Sequence, residues 1–288
     1  MSPLQPERTL FLPARDGLKL HVAHWPLPGA RGVVVFLHGL AAHGGWYGEL
    51  AAVLHAAGWA MAAPDYRGHG LSEGPRAGLS KDDDLLFDVA TVLDHVRETH
   101  PGLPLILMGH STGGLVTSRF GVAEDIARNA PWWRPVEGLV LLAPALQATL
   151  SLTQKALLTT MGRLLLDVGM PMGIDLSWTC DDPAMVTRHS QDPLMHGRLT
   201  PRFALFLARE GQRVLAHAST WSTPTLMLYS QADKLVSPEG CERFARRAPA
   251  QVLTAKVYAH LAHSLLHEPH RDLVHGDITQ WLQQRFPQ

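Results

Sequence analysis

LPLILMGHSTGGL, Leu103 to Leu115, is the stretch from which the fold is read. Leu105 to Met108 make an apolar run of strand length, Gly109-His110-Ser111-Thr112-Gly113 follows at once, and a helical pattern begins behind it. A strand that turns sharply into a helix projects the corner residue away from the backbone, as a weak nucleophile such as a serine hydroxyl requires. Gly109 and Gly113 suit the corner because a side chain at either place would crowd it. The first N–H groups of the following helix are unpaired and partially positive, close to where negative charge would develop on an attacked carbonyl. Ser111 could equally be an ordinary helix N-cap in a glycine-rich turn. The two readings part on whether an acid and a histidine follow later, each just past a strand.

On the N-terminal side, Gly32 to Leu37 is a continuous β-branched run, as expected of a strand buried on both faces of a parallel sheet. It ends in His38-Gly39-Leu40-Ala41-Ala42-His43-Gly44-Gly45, where backbone N–H groups can be aimed at a ligand. The N–H of Leu40 is a candidate oxyanion-hole donor with that of Thr112 as its partner; a flexible strand-to-helix connection is the plainer alternative. Trp46 to Ala57 has helical spacing and stops at Gly58, and Trp59 to Ala63 is another short strand. In the loop Pro64 to Ser72, Asp65 and Arg67 are expected to pin the chain by hydrogen bonds rather than to act on substrate. Ser80 to Thr99 reads as a helix with an acidic start at Asp82, Asp83 and Asp84. Residues 7–25 alternate apolar and polar around Arg15-Asp16-Gly17, which predicts an antiparallel pair of edge strands.

Downstream, Leu115 to Arg128 continues as a helix and Gly138 to Ala143 supplies the next buried strand. This rhythm predicts an α/β fold, a doubly wound, mostly parallel sheet with helices on both faces. From Pro144 to Ser222 the rhythm breaks, with no convincing strand over about 80 residues, which marks a lid or an inserted subdomain. The predicted division is therefore a core of residues 1–143 and 223–288 and a helical cap of residues 144–222. Leu150 to Val168 is its clearest helical stretch, with Met161, Met170 and Met172 at hand; it is either a wall for flexible alkyl chains or the cap's own core. The rhythm resumes with the strand Pro224 to Tyr229, and Asp233 follows on the edge where open α/β sheets collect ligands. After Val252 to Tyr258, three histidines compete as the base. His263 is chosen because it precedes the final helix and is free to point back over the sheet, whereas His260 is nearer the strand and His267 is expected to be helical. Asp272 to Phe286 closes the chain as an amphipathic helix.

Composition narrows the function classes. The 288 residues are 46% hydrophobic, enough for one large core, and 25 Lys and Arg balance 26 Asp and Glu, so no global field draws the chain to nucleic acid. The opening MSPLQPERTLF has no basic segment followed by an apolar region, and no apolar run reaches the roughly 18 residues of a membrane span, so a soluble, cytoplasmic protein is expected. Cys180 and Cys241 offer no disulfide framework and are expected to be plain thiols. Although there are 17 histidines, H-E-x-x-H is absent, so neither a metal nor another cofactor is expected.

The order Ser, Asp, His, each after a strand, is that of α/β-hydrolases. HGLAAHGGWYGELAAVL, PDYRGHGLSEG, GHSTGG, QADKLVSP and HSLLHE together resemble the monoacylglycerol lipase and lysophospholipase branch, often labelled serine aminopeptidase-like, and DPLMHGRLT from Asp192 resembles a further family segment. The resemblance covers nearly the whole chain outside the insertion. It implies Ser111 as nucleophile, Asp233 as acid, His263 as base, and Leu40 and Thr112 as oxyanion-hole donors through their backbone N–H groups. It also implies a helical cap between the sixth and seventh strands. Thr112 departs from the best-known monoacylglycerol lipases, which carry methionine there; a backbone donor survives that change, but a polar group then stands beside the reacting carbonyl.

The resemblance implies a serine hydrolase that cleaves carboxylic esters through a covalent acyl-enzyme, with monoacylglycerols first among its substrates. Lysophospholipase, broad carboxylesterase and acyltransferase activities stay open, and a non-catalytic ligand-binding protein on the same fold is the reading from a different class. Peptidase action is disfavoured because nothing obvious in the cap is placed to hold an N-terminal amine. The expected partner is a small acyl ester, and the apolar cap is a candidate for transient contact with lipid surfaces. The oligomeric state is not encoded in any motif.

Overall fold

The computed structural model describes residues 2–126, 128–147 and 166–287. In chain order its strands are β1 (Arg8–Pro13), β2 (Lys19–Trp25), β3 (Gly32–Leu37), β4 (Trp59–Pro64), β5 (Leu105–His110), β6 (Gly138–Leu142), β7 (Met170–Pro171), β8 (Arg198–Leu199), β9 (Thr225–Ser230) and β10 (Leu253–Tyr258). Eight of them form one sheet in the order β1-β2-β4-β3-β5-β6-β9-β10. β1 and β2 join antiparallel and every pairing from β4 to β10 is parallel.

Side chains alternate across a strand, so a strand covered on both faces has to be apolar throughout. β3 does this: Val33, Val35 and Leu37 face one core layer and Val34 and Phe36 the other. The first layer is packed by the helices α2 (Asp84–Thr99) and α3 (Thr112–Ile126), the second by α1 (Gly48–Ala56) and the final helix, Arg271–Arg285. Each fully buried Val, Leu or Phe contributes roughly 1.5–3 kcal/mol, and β3 supplies five.

Two sequence expectations change. β2 is not an edge strand, since it pairs with β1 on one side and with β4 on the other, and six of its seven residues are buried. The polar positions that suggested an edge are His21 and His24; His21 is accommodated in the interior because its Nδ1 meets Asp65 Oδ2 at 2.8 Å. Between β6 and β9 the chain does form a strand pair, the two-residue ladder β7–β8, too short to leave a period in the sequence. That segment also holds α4 (Pro183–Gln191) and α5 (Pro201–Ala216). Phe203, Phe206 and Val214 of α5 join the same core layer as α3, and Glu210 makes a buried ion pair with Arg119 of α3. Residues 150–165 of the helix expected over Leu150 to Val168, Met161 among them, lie outside the described residues. The remaining α-helices among the described residues are α6 (Pro238–Arg247) and, as the last, α7 (Arg271–Arg285). Among the described residues no helix is long and apolar enough to cross a membrane.

Candidate active site

Ser111 stands at the corner between β5 and α3 with φ of 56°, a left-handed conformation that costs an L-residue about 1–2 kcal/mol. The corner is held in register from both sides. Ser111 N–H donates to Leu142 O at 2.9 Å, and Ser111 O accepts from Ala145 N–H at 3.1 Å, so the neighbouring strand β6 and the chain beyond it grip the turn. The two glycines are required by close approach. A Cβ on Gly113 would lie 2.0 Å from Leu37 O, and one on Gly109 would lie 2.2 Å from Gly113 O.

Asp233 and His263 meet. Asp233 follows β9, and its Oδ2 accepts from His263 Nδ1 at 2.6 Å. Its Oδ1 accepts the N–H groups of Leu235 and Val236 at 2.8 and 2.9 Å, and the carboxylate and imidazole are 3% and 6% exposed. Burial works to raise the Asp233 pKa, but His263 and the two backbone donors outweigh it and hold the carboxyl below its ordinary value. An ionised carboxylate only accepts, so Nδ1 of His263 carries a proton toward it, and in the neutral form of the ring the lone pair is on Nε2. Among the described residues, no hydrogen bond joins Ser111 Oγ to this ring. His263 is nonetheless anchored to the elbow, because His110, next to Ser111, donates from Nε2 to His263 O at 3.0 Å. Burial, and next the neighbouring His263, push the His110 imidazole down to about 3, so it is neutral.

The glycine-rich loop after β3 lies against the elbow. A Cβ on Gly39 would stand 3.5 Å from Ser111 Cβ, which puts the backbone just before Leu40 beside the hydroxyl-bearing carbon. Buried His38 fastens the loop's start: its Nε2 accepts the Tyr66 N–H at 3.1 Å, so the proton is on Nδ1 and donates to Gly39 O at 2.7 Å. Asp65 fastens its end, accepting the N–H of Gly44 at 2.6 Å and of Leu71 at 2.9 Å. Arg67 makes a two-pronged pair with Asp88 at 2.6 and 2.7 Å. Asp65 and Arg67 thus pin loops, as expected. Thr112 opens α3 and is buried, so its backbone N–H sits at the helix start immediately after Ser111.

Of the competing histidines, His263 alone is paired with Asp233; His260 is exposed, and His267 stacks on Trp46 and Tyr47 at 5.7 and 5.3 Å. His267 is not helical as expected. Pro269 disfavours helical geometry at Glu268, and α7 starts only at Arg271. A cavity of about 350 Å³ bordered by Leu18, Arg67, Leu79 and Asp167 touches neither Ser111, Asp233 nor His263 and is not this site. No group of three or more His, Cys, Asp or Glu among the described residues could hold a metal ion.

The family model described as serine aminopeptidase, S33 (Hydrolase_4) matches residues 28–270, well over half the chain. The chain belongs to this family. Among curated relatives, the monoacylglycerol lipase of Mycolicibacterium smegmatis is 31% identical over 92% of this chain and 93% of its own length. The human monoglyceride lipase is 31% identical over 94% of this chain and 88% of its own. Among solved structures, the Paleococcus ferrophilus monoacylglycerol lipase superposes with a TM-score of 0.80 at 28% identity, covering 92% of this chain and 99% of that one. This S33 chain is therefore an α/β-hydrolase that hydrolyses carboxylic esters.

Two residues of the site were missed from the sequence. One is His110, taken there only as part of the elbow. The other is Ser230 at the end of β9, whose Oγ accepts the Ala232 N–H at 3.1 Å and donates to Leu261 O at 2.5 Å, tying the loop of Asp233 to the loop of His263. Neither has a local signature, since each acts on a carbonyl far along the chain, His263 O and Leu261 O.

Proposed function

We propose that Ser111, His263 and Asp233 are the nucleophile, base and acid of a serine hydrolase whose preferred substrate is a monoacylglycerol. The observation that carries this reading is the 2.6 Å bond between His263 Nδ1 and Asp233 Oδ2, on the same edge of the sheet as the left-handed elbow serine. Ser111 Oγ attacks the ester carbonyl while its proton passes to Nε2 of His263, and the Ser111–His263 hydrogen bond forms as substrate arrives. The N–H groups of Leu40 and Thr112 receive the negative charge that develops on the carbonyl oxygen. Collapse breaks the bond to the alcohol, which leaves with the proton from His263, and water then releases the acyl group by the same steps with the roles reversed.

The substrate class rests on the relatives' own activity, taken together with the segment 144–222, read as a cap over the acyl chain. Met170 and Met172 there are of a kind that adapts to flexible alkyl groups. Val168, Ile174 and Trp178 of the same segment are 51%, 41% and 43% exposed, which supports transient contact of the cap with lipid surfaces. A cytoplasmic location accords with Cys180 and Cys241, two buried free thiols.

The test is fluorophosphonate labelling of the folded protein with the adduct mapped, beside a kinetic panel of monoacylglycerols, lysophospholipids and p-nitrophenyl esters on wild type and Ser111→Ala. The reading expects an adduct on Ser111 and the highest kcat/KM for a monoacylglycerol. No adduct, or a Ser111→Ala enzyme that keeps its rate, removes the triad; faster turnover of lysophospholipids removes the substrate assignment alone.

A further inference from the structure

The loop that carries Leu40 is fastened from the core at both ends, through His38 and through Gly44. Its middle is held from elsewhere. His43 Nε2 lies 3.0 Å from Asp192 Oδ2, and Ala41 O accepts the His196 N–H at 3.2 Å. Both contacts come from residues 192–196, in the segment between β6 and β9. They fall around Ala41, a buried alanine with φ of 68°. A left-handed non-glycine residue persists where its surroundings over-determine it, and here the surroundings are that segment.

One carboxylate governs both contacts. Asp192 Oδ2 meets His43, while its Oδ1 accepts the Leu194 N–H at 2.8 Å and its carbonyl accepts the Met195 N–H at 3.1 Å. These bonds shape the turn that delivers the His196 N–H to Ala41. The carboxylate and the His43 ring are 18% and 10% exposed, so neither contact is a solvated surface pair.

We propose that Asp192 is a positioning residue for the oxyanion hole: through His43 and through the turn 192–196 it fixes Ala41, and so aims the preceding N–H of Leu40 at the reacting carbonyl. This rests on the roles given above to Ser111 and Leu40. It also links the segment between β6 and β9 to the chemistry, since a displaced 192–196 turn releases the donor loop. A backbone donor moved by about 1 Å loses on the order of 10²-fold in rate, with little effect on ground-state binding.

The experiment compares full-length Asp192→Ala and Asp192→Asn with wild type. It measures kcat and KM on p-nitrophenyl butyrate, affinity for a trifluoromethyl ketone that forms a tetrahedral serine adduct, and thermal unfolding. Asn keeps the acceptor for Leu194 on its Oδ1 and turns its NH₂ to His43 Nε2, which accepts from it in the other neutral tautomer, whereas Ala can do neither. The expected result for Asp192→Ala is a fall in kcat of about 10- to 100-fold, KM within about twofold, and a parallel loss of ketone affinity, with most of the loss recovered in Asp192→Asn. His43→Leu should give a similar kcat defect, and the double variant Asp192→Ala/His43→Leu less than the product of the two, because the changes share one bond. A kcat for Asp192→Ala within about twofold of wild type, a defect confined to KM, or fully multiplicative losses overturn the proposal. If wild type takes no fluorophosphonate on Ser111, the triad reading fails first; if it is labelled and Asp192→Ala matches it, only the positioning role fails.

Discussion

His110 and His263 lie with ring centroids 4.8 Å apart, and the first donates from Nε2 to the backbone carbonyl of the second at 3.0 Å. The residue beside Ser111 thus sets the position of the loop that bears His263, across 153 positions of sequence. His110→Ala leaves the His263 carbonyl without its buried donor and frees that loop. The expected outcome is a kcat lowered about 10- to 100-fold, as for a catalytic group displaced by a fraction of an ångström. His110→Gln, which keeps an N–H donor, should lose less. Steady-state kinetics and the rate of fluorophosphonate labelling check both.

Asp233→Asn tests the tautomer. An asparagine Oδ1 can still accept from Leu235 and Val236, so its NH₂ group faces His263 Nδ1. That donor forces the ring proton onto Nε2, where it can no longer take the serine proton. The expected loss is on the order of 10⁴ in kcat with the fold intact. A loss under about tenfold means that His263 is oriented by something else.

What was legible in the sequence was what is local. β3, β5 and the elbow read directly from Gly32 to Leu37 and from Leu103 to Ser111, because a continuous apolar run and a G-x-S-x-G turn carry their meaning in adjacent residues. Asp233 and His263 were likewise singled out by their places just past strands, and the structure pairs them. What was not legible depends on partners far along the chain. The histidines of β2 look solvent-facing until Asp65, 44 residues away from His21, accepts that ring inside the fold. The bracing roles of Ser230 and His110 exist only once the base loop has arrived. The final helix was read to within a residue of its start at Arg271, but the expectation of helix at His267 neglected Pro269.

Gly113→Ala should cost the fold before it costs the chemistry. The added carbon lies 2.0 Å from Leu37 O and 2.8 Å from His38 O, both backbone atoms at the end of a central strand that cannot turn aside. Relief requires α3 to lift from β3, which opens the core layer packed by Leu115 and Val116. The expected destabilisation is at or above the upper end of the about 1–3 kcal/mol typical of overpacking. A urea titration reads it as a lowered midpoint with unchanged slope; an unshifted midpoint contradicts the packing described.

Acid should unfold this protein early, and the sign follows from its buried histidines. Burial lowers His38 to about 4 and both His110 and His267 to about 3, against about 6.5 in an unfolded chain. Between pH 6.5 and those values the unfolded state binds protons that the folded state refuses, so stability falls as pH falls. Asp65 and Asp233, both held low in the fold by their histidine and backbone partners against the pull of burial, lose their contribution further down, below the ordinary carboxylate range. Asp88 runs the other way: burial outweighs Arg67 and raises it to about 6, so its protonation on acidification favours the fold. One such group does not offset three histidines, each worth up to about 1.4 kcal/mol per pH unit. The urea midpoint should therefore drop steadily from pH 7 to pH 5. In His267→Phe, whose ring can pack on Trp46 and Tyr47 as the imidazole does, the drop should be shallower by about one histidine's share. A midpoint that is flat over this range, or equally steep in the variant, means that the interior histidines accept protons without unfolding.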